Sequence, residues 1–134
     1  DAPGEVLIYT AGHDASREAA WHARGVRLVA LPGAQAKVDL GAMLADLAGR
    51  SINELHVEAG HKLNGSLLRA GLVDELLVYL APKLLGAGRE MAAFGPLGAL
   101  AEALAFEFTQ LDRVGADLRI LARSPGSAGV LGDN

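Results

Sequence analysis

The segment VEAGHKLNGSLLRAGLVDELLVYLAPKLLG, residues 57–86, decides the fold. The run ELHVE, residues 54–58, predicts a strand that ends on the carboxylate of Glu58. Ala59 and Gly60 then turn the chain. Leu63, Leu67 and Leu68 recur at helical spacing, and Gly71 stops the helix. The run ELLVYLA, residues 75–81, predicts the next strand. Strand, turn, helix and strand in this order predict a βαβ unit and a parallel sheet. The unbroken apolar strands agree, because helices cover both faces of a parallel sheet.

The same alternation extends toward the N-terminus. The apolar run over 6–9 predicts a first strand, with Asp14 as the cap of a helix that Gly25 ends. Residues 26–31 predict a second strand, closed by Pro32-Gly33. Asp39 caps the next helix, in which Leu40, Met43, Leu44 and Leu47 share a face. Val38 is expected to staple onto Met43, and Gly49 to stop that helix. Toward the C-terminus the pattern changes. Residues 83–96 are Gly-rich and irregular, and 97–103 predict a short helix. Residues 106–111 and 117–121 alternate as a hairpin, with a turn around Val114-Gly115. The expected class is therefore α/β, a mainly parallel sheet flanked by helices with a C-terminal antiparallel hairpin. One domain is expected over 1–123, with a flexible Gly/Ser-rich tail over 124–134.

Length and composition bound the rest. A chain of 134 residues fits one domain and can bury roughly two thirds of the surface its unfolded form exposes. Apolar residues make up 51% and charged residues 21%, a globular balance, while aromatics at 4% leave the core to Leu, Val and Ala. A net charge of −4 gives no electrostatic footprint for nucleic acid. The absence of cysteine excludes disulfides and thiolate metal sites and fits a reducing compartment, with the cytoplasm as the expected location. His13, His22, His56 and His61 lack metal-ligand spacing, so no metal is expected. No apolar run approaches the ~20 residues that span a bilayer, and no membrane partner is expected.

The chemistry concentrates at the turn over 58–60. In an open parallel sheet, ligands bind at the carboxyl ends of strands, where Glu58 is placed. Gly60 lacks a Cβ, so backbone can approach a ligand closely. The amides that follow open a helix, whose N-terminus favours anions. Each residue also has a plain structural role available. Gly60 can serve packing alone, Glu58 can cap the helix, and Ser66 can be a helix-surface serine.

The whole segment resembles the C-terminal reductase domain of the bifunctional riboflavin-biosynthesis deaminase–reductase, in a stretch running Val-Glu-Ala-Gly through Gly-Leu-Val-Asp-Glu-Leu to Ala-Pro-Lys-Leu-Leu-Gly. The order of elements from GEVLIYTA to RVGADLRILAR is similar too, so the resemblance spans nearly all of the chain to about Arg123. It implies a dihydrofolate-reductase-like fold, here a partial domain. It implies an NADPH-dependent reductase that acts on 5-amino-6-(5-phosphoribosylamino)uracil in riboflavin biosynthesis and gives the ribitylamino product. The phosphorylated small molecule is then the partner, and a homodimer the assembly.

On that resemblance Glu58 faces substrate. Gly60, His61, Lys62, Leu63, Asn64, Gly65 and Ser66 hold the cofactor diphosphate, and Thr10, at the end of the first strand, meets the adenosine side. No catalytic acid is assigned. Tyr79 is read as a core aromatic, Lys83 as a strand-end charge, and Asp74 and Glu75 as solvated. Two positions depart from the family pattern: Ala59-Gly60 replaces a common Gly-Gly, and His61-Lys62 a common Pro-Thr, so a threonine contact to phosphate is lost, and the Lys62 ammonium can either replace it as a point charge or point into water. The family's earlier strands and its deaminase domain have no counterpart in these residues, so weak or no turnover is expected of this chain by itself. Two other readings stay open: a non-catalytic binding or dimerisation module, and another dihydrofolate-reductase-like reductase of a pterin or pyrimidine.

Overall fold

The computed structural model describes residues 4–126. The chain forms two compact units, one ending at Val57 and one beginning at Glu58. Residues 127–134, most of the expected tail, lie outside the described residues.

The first unit is a βαβα succession. Strand β1 (Val6–Thr10) pairs in parallel with β2 (Val26–Ala30), register Val6 to Val26 through Thr10 to Ala30. Helix α1 (Ala15–His22) crosses between them. Asp14 caps it by accepting from the amides of Ser16 and Arg17, at 3.0 and 3.1 Å. Gly25 turns the chain back at φ 74°, the left-handed region that glycine enters without strain. The α1 ring of Trp21 has the Arg24 guanidinium 5.6 Å from its centroid. Helix α2 (Leu40–Gly49) opens on Asp39, which accepts from the Ala42 amide at 2.9 Å. Its end differs from the sequence expectation. Gly49 is the last helical residue, and the reversal falls on Ser51 at φ 65°.

A polar cluster ties α2 to β1. The Tyr9 hydroxyl donates to Asp46 at 2.7 Å, and Arg50 grips the same carboxylate through Nε at 2.7 Å and Nη2 at 3.2 Å. The Arg50 guanidinium, then the Tyr9 hydroxyl, hold the Asp46 carboxyl below the ordinary carboxylate range. Burial, reinforced by the bond to Asp46, raises the Tyr9 phenol.

The second unit carries α3 (His61–Arg69) and a three-stranded antiparallel sheet of order β3-β5-β4. The strands are β3 (Glu75–Leu80), β4 (Glu107–Val114) and β5 (Asp117–Arg123). The expected hairpin is present, and its turn uses Gly115 at φ 63°. A bulge shifts the β4 register between Phe108 and Gln110. Arg123 pairs with Glu75 across β5 and β3, and Arg119 with Asp112 across β5 and β4, at 2.9 and 2.7 Å.

Two expectations are corrected here. Residues 54–58 form no strand. The sheet is not mainly parallel, because β3 takes β5 as its antiparallel neighbour, register Glu75 to Arg123 through Leu80 to Leu118. The apolar content of 75–81 was a sound sign of a strand but carried no information on direction. Tyr79 is also not a core residue; it is 57% exposed, opposite Arg119. The segment expected as a short helix narrows to one 3-10 turn, Leu100–Glu102.

Burial is thin. Among the described residues only Leu47, Leu67 and Ala122 form a buried apolar core. Leu84, Leu85 and Leu100 stand almost fully in solvent, and Phe108 on β4 is 69% exposed. No described helix is long and apolar enough to cross a membrane, and no described cluster of His, Asp and Glu could hold a metal ion.

Candidate functional site: an open helix start at Gly60

Three helices begin differently, and the difference marks the site. Asp14 satisfies two amides of α1 and Asp39 one of α2, whereas Gly60 contributes no side-chain bond to α3. The amides of Leu63 and Asn64 turn back to the Gly60 carbonyl at 3.0 and 3.2 Å. No intrahelical carbonyl is available to His61 and Lys62 at the first two positions.

Gly60 has an extended backbone, φ −74° and ψ 159°, which any residue adopts. Nothing lies within 4 Å of where its Cβ would stand. Neither conformation nor packing therefore requires glycine. What the glycine leaves is open access to the backbone at a helix start, and a Cβ would fill that space. A diphosphate fits this opening: the donors are amides, the dipole favours an anion, and the first turn carries no acidic residue.

The expected site residues separate into two groups. Glu58 lies in the exposed turn ahead of α3, Lys62 and Leu63 are exposed, and His61 is half-buried at the first helical position. These four flank Gly60 along the chain. Asn64, Gly65 and Ser66 have other engagements. The Ser66 hydroxyl donates to the Lys62 carbonyl at 3.0 Å, within the helix. The Asn64 amide nitrogen donates to Met91 O at 3.0 Å and Ala59 O at 3.3 Å. Gly65 is buried, and a Cβ there would overlap the Ala93 carbonyl and come within 2.9 Å of the Ala93 nitrogen. Its glycine has a packing reason.

Residues 91–94 were not singled out from the sequence, nor was Arg69. The Ala93 amide donates to His61 O at 2.8 Å, and Arg69 Nη1 donates to Ala93 O. An isolated glycine inside a helical pattern was the available signal, because it marks a close approach. Arg69 follows it by four residues, on the same helix face.

In the first unit, Thr10 ends β1 and its hydroxyl donates to Gly12 O at 2.6 Å. It lines a small hollow of about 60 Å³ with Gly12, His13, Asp14, Glu18, Leu28 and Ala30. The hollow lies at the carboxyl ends of the two parallel strands, where α/β sheets bind ligands. His13 Nδ1 stands 3.3 Å from the Glu18 carboxylate. The Ser16 hydroxyl and the helix amides lower the Asp14 carboxyl. Lys83 lines an open hollow with Arg113 and Leu118 at the end of β3.

An α/β chain with an uncapped, glycine-led helix offers backbone amides to an anion. The chain belongs to the RibD C-terminal domain family, whose model matches residues 2–120. It is 42% identical over 117 residues to the riboflavin biosynthesis protein RibD of Escherichia coli K12, covering 87% of this chain and 31% of that protein. It is 33% identical over 86 residues to the 5-amino-6-(5-phosphoribosylamino)uracil reductase of Buchnera aphidicola from Acyrthosiphon pisum, covering 63% of this chain and 42% of that protein. In fold it is similar to Acinetobacter baumannii RibD, with a TM-score of 0.72 at 24% identity, over 90% of this chain and 31% of the other. The chain thus spans about a third of the E. coli relative it matches.

Proposed function

We propose that this chain supplies part of an NADPH-dependent reductase that converts 5-amino-6-(5-phosphoribosylamino)uracil to its ribitylamino product in riboflavin biosynthesis. The supporting observation is the open start of α3, where neither backbone strain nor packing explains Gly60. Family membership and the name of the Buchnera relative point to the same chemistry.

Bound NADPH would supply a hydride to C1 of the opened ribose. The chain's own residues would bind and orient. The backbone at Gly60, His61 and Lys62 takes the diphosphate, with the Lys62 ammonium as a nearby point charge. Glu58, just upstream, orients substrate hydroxyls by accepting their hydrogen bonds and need not transfer a proton. Thr10 is assigned to the adenosine side. The cytoplasm is the compartment this reading sets for the reaction.

The test is hydride transfer in the full-length protein. Glu58→Gln should raise KM or lower kcat by about tenfold or more, ~1.4 kcal/mol. Unchanged kinetics would remove the orienting role.

A homodimer completes this reading. Phe108 and Leu111 on β4 are 69% and 57% exposed, and Leu84 and Leu85 in the adjoining Gly-rich segment are nearly bare. This apolar exposure supports the dimer reading. Light scattering at micromolar concentration should give twice the monomer mass, and a charged substitution at Phe108 should halve it. A monomer mass for the unsubstituted protein would end the dimer reading.

A further inference from the structure

The Asn64 side chain faces two carbonyl oxygens, Ala59 O at 3.3 Å and Met91 O at 3.0 Å. Only the amide nitrogen can face both, since the side-chain oxygen cannot donate. Met91 belongs to a strap, residues 91–94, that runs against α3. The strap is fixed by Ala93 N–H to His61 O at 2.8 Å, by Arg69 Nη1 to Ala93 O, and by backbone seated where Gly65 has no side chain. Ala59 belongs to the turn that precedes the helix. Asn64 joins the strap to that turn.

The consequence follows from the peptide bond. The Ala59 carbonyl and the Gly60 N–H are opposite ends of one planar unit. A side chain that holds the carbonyl therefore also sets the direction of the amide. We propose that Asn64 is a positioning residue: by gripping Ala59 O and the strap together, it aims the Gly60 amide at the open helix start. It touches no ligand itself. This role differs from its expected place among the cofactor contacts and rests on the reading of the turn as a phosphate site.

The experiment uses the full chain and three variants. Asn64→Ala removes both bonds. Asn64→Asp keeps the shape, suits a first helical turn, and sets a carboxylate oxygen against two carbonyls. Arg69→Ala frees the strap from its other side-chain anchor without touching Ala59. Two readouts are taken: the orientation of the Gly60 N–H, from residual dipolar couplings in the ligand-free protein, and the Kd for NADPH. Both Asn64 variants should change the Gly60 coupling and weaken NADPH about tenfold, the scale of one or two lost hydrogen bonds. Arg69→Ala should speed amide exchange in 91–94 and leave the Gly60 coupling unchanged. The proposal is overturned if the Gly60 coupling is unchanged in both Asn64 variants, or if Arg69→Ala changes it equally. Should the unsubstituted protein bind no NADPH, the functional reading falls, and the Gly60 coupling alone still decides whether Asn64 aims the turn.

Discussion

The starts of α1 and α2 contrast with the start of α3. In the first unit an aspartate closes each helix start, and Asp46 ties α2 to a strand through Tyr9. In the second unit the helix start is left to a bare glycine, while the flank of the same helix is locked to a strap. Closure by side chains serves folding. An uncapped start held in place from the side is what a ligand-binding turn needs, because donors must be rigid yet uncommitted.

The strongest way to break this contrast is at the flank. Gly65→Val should cost about 3 kcal/mol, since its side chain must displace the Ala93 backbone. A fall in the urea midpoint at unchanged slope measures it; an unchanged midpoint would mean that the strap is not seated as described. The next sharpens the contrast by making α3 resemble its neighbours. Gly60→Asp installs a cap and should hold stability or raise it by a few tenths of a kcal/mol, read in a thermal melt. It should also weaken NADPH by about tenfold or more, because the carboxylate takes the same amides and repels phosphate. Unimpaired binding would remove the turn from the cofactor site. The smallest effect is expected at a closed start. Asp39→Ala should cost about 1 kcal/mol of stability and leave NADPH affinity alone, as a thermal melt beside a binding titration would record.

The first unit was largely legible in the sequence. Asp14, Gly25 and Asp39 act through local rules, and each sits where the pattern of charge, glycine and apolar spacing puts it. The parallel partners β1 and β2 could be read because a helix separates them. The second unit was less legible, since its sheet depends on a distant pairing. Glu75 meets Arg123 across 48 positions, and nothing local to 75–81 states whether that neighbour runs parallel or antiparallel. The run 54–58 had strand character yet forms no strand, because pairing and not composition makes one. At the site, Gly60 and the helix after it were legible from the motif. The roles of Asn64, Gly65 and Arg69 were not, because each depends on residues 91–94, some 24 to 28 positions away.

Trp21 is the sole tryptophan of the sequence, and it lies on α1, in the unit that ends at Val57. The molecule therefore carries an optical channel tuned to one half of itself. Its fluorescence follows the region of closed helix starts, whereas far-ultraviolet dichroism sums the backbone of both halves. Superimposed traces during unfolding mean that the halves open as one cooperative event, and separated traces mean that each half has its own transition. The placement of a single indole thus makes the independence of the two units measurable without any label.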